Sequence, residues 1–228
     1  MSVLKGLFVT EASPRAYAPP DGGSQIHYVD DFLAVVEKPA GLLSVPGRGP
    51  EKSDCVMSRL QCDLPGALNV HRLDMETSGL MVVALCKEAQ SALSVAFADR
   101  DVTKVYEAIV FGRVKAKDGV VDFPLITDWA NRPRQKVDYD TGKSARTLWS
   151  CLEANDVSSR MELTPKTGRS HQLRVHMERI GHPILGDGLY GSHQSRTAAN
   201  RLMLHARELG FIHPLTSERL HIQSPTPF

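Results

Sequence analysis

The chain has 228 residues, of which 42% are hydrophobic and 23% are charged, a composition typical of a globular protein and not of a disordered or fibrous one. Its formal net charge is +1, so any surface that binds nucleic acid must be a local basic patch that acidic residues balance elsewhere. No apolar run approaches the roughly 20 residues of a membrane span, and residues 1–22 lack the apolar segment of a secretory signal. These features predict a cytoplasmic protein with no membrane partner.

The cysteines and histidines predict neither a disulfide framework nor a metal site. The four cysteines form no C-x-x-C pair, so we expect small reduced thiols. The nine histidines include no His-x-x-x-His pair, and the five-residue spacing of His171 and His176 fits one helix face poorly. We therefore predict no metal and no other cofactor.

Prolines and glycines dominate the start of the chain and predict an extended tail over residues 1–25. Residues 26–228 are predicted to form a single domain, long enough to bury a sizeable core. Its first elements are a strand over residues 32–39, an ordered loop over residues 41–48, and a short helix that begins at Ser53 as its N-cap and ends near Gln61.

The polar segment HRLDMETSG (residues 71–79) leads directly into the apolar run LMVVAL (residues 80–85), which is typical of a buried strand. One interpretation of the polar segment is a surface turn in which Asp74 and Ser78 bond nearby backbone groups. The other is a functional loop, because loops held by a rigid scaffold carry much of a protein's chemistry. This segment alone leaves both interpretations open.

The next two elements are a helix and a strand. Residues 87–100 are predicted to be helical, because apolar residues such as Leu93 and Phe97 recur on one face. Residues 104–114 alternate as a strand does, so Tyr106 and Glu107 point to opposite faces. From this spacing, Tyr106 is either a core tyrosine with a tethered hydroxyl or a functional group, and the spacing favours the core tyrosine.

A basic segment follows. Residues 129–136, WANRPRQK, place Arg132, Arg134 and Lys136 beside Trp129. Cations next to an aromatic ring suit phosphate contact combined with base stacking, and a solvated turn is the alternative.

The last part of the chain returns to strands around one helix. Residues 144–153 and 160–165 are predicted to pair antiparallel, and a helix is predicted from Ser170 as N-cap to Gly181 as its stop. On that helix Arg174 could pair with Glu178, which lies on the same face. Strands over residues 201–208 and 219–223 close the chain. Because strands and helices mix without a β-α-β rhythm, we predict an α+β fold with a largely antiparallel sheet.

Three segments together resemble a known family. The segments HRLDMETSG (residues 71–79), KVYEA (residues 104–108) and TGRSHQLRVH (residues 167–176) match, in the same order, the three motifs of the RluA family of pseudouridine synthases. Residues 32–214 look like the catalytic domain of that family and are most similar to its dual-specificity member. The resemblance implies the pseudouridine synthase fold, in which helices and loops around a mixed central sheet frame a basic cleft. Relatives in this family often carry a small basic RNA-binding module ahead of the catalytic domain, but too few residues precede Phe32 for one, so we expect none here.

The resemblance assigns roles to single residues. It implies that Asp74 is the catalytic aspartate, that Arg174 reaches back to Asp74, and that Tyr106 lies against the target base. It further implies that Arg72 fills the gap left when the target uridine flips out of its stack. The other candidate RNA-binding residues are His71, Lys104, Arg132, Arg134, Lys136, Arg169 and His171.

The chemistry agrees with these residue types. Pseudouridine formation breaks an N-glycosidic bond and makes a C–C bond to the same ring, so nothing is oxidised. The reaction requires a carboxylate at the sugar, either as nucleophile or as partner of an oxocarbenium-like centre, and Asp74 is the candidate. Arg174 would keep Asp74 charged and oriented. Whether Asp74 attacks C1′ or assists a glycal route stays open.

The resemblance also predicts the partners, namely a tRNA anticodon stem-loop and a stem-loop of large-subunit rRNA, bound by a monomer. Two other functions remain as alternatives. A non-catalytic RNA-binding protein would need only the cations, and a nucleoside hydrolase or transglycosylase would be expected to carry further acidic residues in its motifs.

Overall fold

The computed structural model describes residues 17–228, and the first part of the predicted tail, residues 1–16, lies outside that range. The strands, in chain order, are β1 (Gln25–Val29), β2 (Leu33–Lys38), β3 (Leu68–Asn69), β4 (Ser78–Ala84), β5 (Thr103–Phe111), β6 (Asp118–Val121), β7 (Leu125–Thr127), β8 (Gln135–Val137), β9 (Thr147–Ala154), β10 (Ser158–Pro165), β11 (Leu204–Ile212) and β12 (Arg219–Gln223). The α-helices are α1 (Val56–Asp63), α2 (Lys87–Asp99), α3 (Gln172–Arg179) and α4 (His193–Thr197). Within residues 17–228, no helix combines the length and the apolarity needed to cross a bilayer.

Ten of these strands form one sheet. Its order is β1-β2-β4-β11-β5-β10-β9-β6, with β3 beside β4 and β12 beside β11. Among the described strands, β4 and β11 form the only parallel pair. The strands β7 and β8 form a separate hairpin. A mixed, largely antiparallel sheet with few helices confirms the predicted α+β class.

Strand β4 is buried along its whole length, which explains its unbroken apolar sequence. On one face Leu80 packs in a core cluster with Leu93 of α2, and on the other Met81 packs with Leu60 of α1. Each such buried side chain stabilises the fold by about 1.5–3 kcal/mol. The loop that precedes β4 and carries Asp74 is therefore attached to the most deeply buried strand.

Gly79 allows β4 and β11 to approach each other closely. Its φ of 116° lies in a region that favours glycine, and a Cβ atom there would be 2.3 Å from the backbone oxygen of Ala206. No other residue type fits this position. The glycine of the 71–79 segment therefore has a structural reason to be there, directly behind the loop.

Strand β5 joins the two halves of the sheet and alternates as predicted. Ala108 packs in a core cluster with Met161 of β10 and Met177 of α3, and Tyr106 lies at the edge of that cluster. Glu107 points to the opposite face, where it pairs with Arg160 and Arg207. Tyr106 is thus presented on the side of the sheet that α3 covers.

Two predicted helix starts are wrong. Helix α1 begins after Cys55, whose thiol accepts a hydrogen bond from the backbone N–H of Ser58, whereas Ser53 lies just after a 3₁₀ turn at Pro50–Lys52. Helix α3 begins after His171, not after Ser170. His171 has a φ of 53°, a left-handed conformation that is uncommon outside glycine, and it occupies the N-cap position at which the loop ends and the helix begins.

Candidate active site

A cleft of about 1210 Å³ opens over the centre of the sheet. Its walls are formed by the loop after β2, the loop before β4, the end of α2, the start of β5, the segment after the 3₁₀ turn at residues 129–131 and the loop before α3. The cations that line it are Arg48, Arg72, Arg100, Lys104, Arg132 and Arg169. Among the described residues of the lining, Asp74 is the only carboxylate. The cleft thus combines a strongly positive surface with a single acid.

A smaller pocket of about 110 Å³ adjoins this cleft and holds the three predicted catalytic residues, Asp74, Tyr106 and Arg174. Residues far apart in the sequence meet here because β4, β5 and α3 converge. Within residues 17–228, no three His, Cys, Asp or Glu side chains cluster as metal ligands.

The backbone around Asp74 is held from several sides. The Oγ of Ser44 donates to the carbonyl of Leu73 at 2.7 Å and accepts from its N–H at 3.1 Å. The fully buried Nζ of Lys38 donates to the carbonyl of Met75 at 2.8 Å, and Thr77 N–H donates to the carbonyl of Asp74 at 3.1 Å. The side chain of Asp74 itself remains 28% exposed. The carboxylate therefore projects into the cleft from a rigid loop.

Arg174 reaches Asp74, but Asp187 is its principal partner. Its Nη1 lies 3.6 Å from Oδ2 of Asp74. By contrast, its Nε and Nη2 donate to the two oxygens of Asp187 at 2.8 and 2.7 Å. Within the described chain Arg174 forms no ion pair with Glu178. The geometry thus places Arg174 beside Asp74 at ion-pair distance, with a second carboxylate beneath it.

Burial and the neighbouring charges shift the pKa values of Arg174 and Asp187 in opposite directions. Burial alone would lower the pKa of Arg174, but its hydrogen bonds to Asp187 and the charges of Asp187 and Asp74 raise it overall. Burial alone would raise the pKa of Asp187, but Arg174 and the N–H groups of Leu189 and Tyr190 lower it overall. Both groups are therefore charged at neutral pH, although both are almost completely buried.

His171 and Tyr190 form a second arm of the site. Nε2 of His171 lies 3.9 Å from Oδ1 of Asp74, and its Nδ1 lies 2.6 Å from the hydroxyl of Tyr190. That hydroxyl also accepts the N–H of Gln135 at 2.7 Å. The Asp74 carboxylate is thus faced by Arg174 on one oxygen and by His171 on the other.

Tyr106 lies between two core clusters, with its ring at the edge of the small pocket. Burial, and after it the charge of Asp74, raises the pKa of its hydroxyl far above the usual range. Tyr106 is therefore protonated at neutral pH, and it offers a flat ring and a neutral hydroxyl to the pocket.

The predicted RNA-binding residues divide into three groups. The cleft wall contains Arg72, Lys104, Arg132, Arg169 and His171. Arg132 also packs over the ring of Trp129, with 5.0 Å between its Cζ and the ring centroid. Arg134 and Lys136 are not part of the wall. Arg134 instead covers the ring of Tyr190, and Nζ of Lys136 lies 4.0 Å from Asp138.

The third group is His71 alone, because its ring packs and hydrogen-bonds within the protein. Nε2 accepts the N–H of Val82 at 3.1 Å, and the ring stacks on Phe97 with centroids 4.3 Å apart. Burial lowers the pKa of His71 to about 3, so it carries no charge at neutral pH. His71 therefore lies at the cleft as a neutral, tethered ring and not as a cation.

Four residues of the site were not predicted. Arg48 and Arg100 lie on the cleft wall, and Asp187 and Tyr190 support Arg174 and His171. The sequence contains one usable signal for Asp187. It is a charged residue inside the otherwise apolar and glycine-rich stretch ILGDGLYG (residues 184–191), and an acidic residue in such a stretch requires a partner.

Comparison with known proteins places the chain in a family. Residues 32–179 match the family model described as RNA pseudouridylate synthase. The chain is 51% identical over 202 residues, covering 88% of this chain and 98% of the relative, to the dual-specificity RNA pseudouridine synthase RluA of Yersinia pestis. It is also 51% identical over 214 residues to the protein of that name from Escherichia coli K12, covering 93% of this chain and 98% of the relative.

A solved structure supports the same assignment. Human RNA pseudouridylate synthase domain containing 1 superposes with a TM-score of 0.77 and 30% identity, covering 92% of this chain and 87% of that one. The family predicted from the three motifs is therefore confirmed. The chain belongs to the RNA pseudouridylate synthase family and is an isomerase that converts uridine in RNA to pseudouridine.

Proposed function

We propose that Asp74 is the carboxylate that acts at the sugar of the target uridine, with Arg174 and Tyr106 as its partners in the pocket. The observation that carries this assignment is the position of Asp74 as the only carboxylate among the described residues lining the basic cleft. The isomerisation needs a carboxylate at C1′, and the guanidinium of Arg174 lies 3.6 Å from Asp74, where it can orient that carboxylate. The neutral ring of Tyr106 would stack on the uracil while it detaches and turns.

The shape of the site supports a flipped-out nucleotide. Asp74 and Tyr106 line both the cleft and the small pocket beside it. A uridine inside a stack hides its sugar C1′ and its base edge from a carboxylate placed there. The target nucleotide must therefore leave its stack, which costs a few kcal/mol and least in a loop. Arg72 is exposed on the cleft wall two residues from Asp74, where its guanidinium can occupy the vacancy.

We propose stem-loops as substrates, in particular a tRNA anticodon stem-loop and a stem-loop of large-subunit rRNA, acted on in the cytoplasm. Two curated relatives carry the description dual-specificity, which supports two kinds of RNA substrate. Cations on several of the segments that line the cleft suit contact with the phosphates of an RNA around the flipped base. Since one chain supplies all of these residues, we propose that a monomer is active and that residues 26–228 act as a single catalytic domain.

The test is to compare the parent protein with Asp74→Asn on tRNA transcripts and large-subunit rRNA fragments. Three quantities are measured, namely the pseudouridine formed, the free uracil released and the RNA retained by the protein. We expect the parent to form pseudouridine in both RNAs, and Asp74→Asn to bind them with parent affinity without turnover. Pseudouridine formation by Asp74→Asn near the parent rate would refute the assignment. Release of uracil would point to hydrolysis, and retention without product from the parent would point to RNA binding alone.

A further inference from the structure

The hydroxyl of Tyr190 lies between two partners that together determine where its proton is. The backbone N–H of Gln135 can only donate, so at 2.7 Å the oxygen of Tyr190 is the acceptor. The single proton of the hydroxyl is then left for Nδ1 of His171, at 2.6 Å. Burial raises the pKa of Tyr190 to about 12, so this proton stays on the hydroxyl at neutral pH.

This arrangement selects one tautomer of His171. A neutral imidazole has one N–H and one acceptor nitrogen, and Nδ1 acts as acceptor here, so the proton lies on Nε2. Burial lowers the pKa of His171, although the charge of Asp74 opposes this effect, and the neutral ring is favoured at pH 7. The Nε2–H group faces Oδ1 of Asp74 at 3.9 Å. Such distances commonly shorten when a substrate is bound.

Tyr190 also has contacts to the other parts of the site. Its backbone N–H donates to Oδ1 of Asp187 at 3.1 Å, and its ring lies under the guanidinium of Arg174 with 5.3 Å to the centroid. Arg134, which lies in the same segment as Gln135, also covers this ring, with 5.4 Å between its Cζ and the ring centroid of Tyr190. One side chain therefore contacts His171, Arg174 and the basic segment at residues 129–136.

We propose that Tyr190 is a positioning residue that fixes the Nε2–H tautomer of His171, so that His171 and Arg174 each direct a donor at one oxygen of Asp74. Two donors on opposite oxygens determine the plane of the carboxylate and hence the direction in which it meets C1′. Because Gln135 supplies the N–H that orients the hydroxyl, the tautomer depends on the placement of the basic segment. The inference rests on the proposed role of Asp74.

The decisive variant is Tyr190→Phe, which keeps the ring under the guanidinium of Arg174 and removes only the hydroxyl. We expect kcat to fall between about 10- and 100-fold, as is usual when a reacting group is displaced slightly, while KM for a stem-loop stays within about threefold. Tyr139→Phe is the matched control, because Tyr139 is 72% exposed and lies outside the cleft wall. It should have the parent kcat. A rise in KM at unchanged kcat for Tyr190→Phe would overturn the proposal.

A second measurement determines the tautomer of His171 directly and does not depend on catalytic activity. In protein labelled with ¹⁵N-histidine, the two ring nitrogens of His171, assigned by their loss in His171→Ala, should show the Nε2–H form in the parent and in Tyr139→Phe. In Tyr190→Phe we expect a mixture of the Nε2–H and Nδ1–H forms of His171. An unchanged tautomer in Tyr190→Phe would overturn the proposal even if the variant were slow.

A double-variant cycle tests whether Tyr190 acts through His171. In the His171→Ala background, Tyr190→Phe should lower kcat by less than about twofold, because the group it orients is absent. An equal effect in both backgrounds would show that Tyr190 acts in another way and would overturn the proposal. This failure is distinct from that of the proposed function, which fails if Asp74→Asn remains active, or if the parent releases uracil or retains RNA without forming pseudouridine.

Discussion

Arg174 donates two hydrogen bonds to Asp187 and approaches Asp74 only to 3.6 Å. The guanidinium is thus fixed by one carboxylate and presented to the other. A buried cation is costly unless it is paired, and Asp187 pairs with Arg174 without using Asp74. Asp74 is thereby left available for the role proposed for it. Asp187 neutralises and orients Arg174, so in the proposed mechanism the cation would remain in place while Asp74 reacts. Asp187 is therefore the residue that holds Arg174 in the position from which it faces Asp74.

The first prediction is that Asp187→Asn unfolds more easily than the parent protein. The substitution leaves Arg174 as a buried cation without its hydrogen-bonded carboxylate, and we expect the free energy of unfolding at pH 7 to fall by about 3–5 kcal/mol. Urea denaturation measures the change. Glu178→Gln is the control, because Arg174 forms no ion pair with Glu178 among the described residues, and it should stay within about 0.5 kcal/mol of the parent.

The same pair predicts a pH dependence. The pKa of Asp187 is lowered in the folded protein, so its stabilising effect is present above its unfolded value of about 3.9 and is lost as the pH falls through the lower folded value. The difference in unfolding free energy between the parent and Asp187→Asn should therefore be largest near neutral pH and shrink below about pH 4. A difference that is constant from pH 7 to pH 3 would contradict the assignment of the ion pair.

The second prediction concerns Lys38, which has no solvent exposure. Its Nζ donates to the carbonyls of Pro39, Leu42 and Met75 at 2.7–2.8 Å, and Met75 follows Asp74 directly. Lys38→Met removes this donor and, among the described residues, leaves the carbonyls of Pro39 and Leu42 without a partner, whereas the carbonyl of Met75 still accepts the N–H of Gly41 at 2.8 Å. Each buried carbonyl that stays unsatisfied costs about 1–3 kcal/mol. We expect lower stability and reduced kcat with little change in RNA affinity. The exposed Lys115→Met is the control and should match the parent in both.

The strands were largely predictable because their signals are local. The alternation around Tyr106 and the apolar run of β4 are properties of short segments, and the three motifs identified the family. The partners of Arg174 and His171 were not predictable in this way. Asp187 and Tyr190 come from a loop that only the tertiary fold brings under the site, and the cysteine cap of α1 lies outside the usual set of N-cap residues.

The third prediction separates the ring of Tyr106 from its hydroxyl. Tyr106→Phe keeps the ring that borders the pocket, so RNA binding should persist, and turnover should collapse if the hydroxyl moves a proton. Tyr106→Ala removes the stacking surface and opens a cavity, so both binding and turnover should fall. Binding and single-turnover assays on the same stem-loop distinguish the two effects. Parent-like behaviour of both variants would remove Tyr106 from the site.

The fourth prediction uses salt to find the cations that bind phosphate. Removing one such cation should flatten the slope of log affinity against log salt concentration by roughly 0.7–0.9. Arg100→Ala and Arg132→Ala should both show this change, because their side chains line the cleft. Lys136→Ala should have a smaller effect, since its Nζ lies near Asp138 and away from the cleft wall. An unchanged slope for both arginine variants would mean that RNA does not follow this wall.

The last prediction concerns Arg72, which is exposed on the cleft wall beside the loop that holds Asp74. If its guanidinium fills the gap left by the flipped uridine, Arg72→Ala should impair intact stem-loops much more than a substrate whose target uridine is already unstacked. Flipping costs a few kcal/mol, so the difference in turnover between the two substrates should exceed about tenfold. A fluorescent base analogue next to the target uridine reports the flip directly. Arg132→Ala serves as the comparison, because a phosphate contact should weaken both substrates equally. If Arg72→Ala flips the base as readily as the parent and changes only the salt slope, Arg72 is a phosphate contact and nothing more.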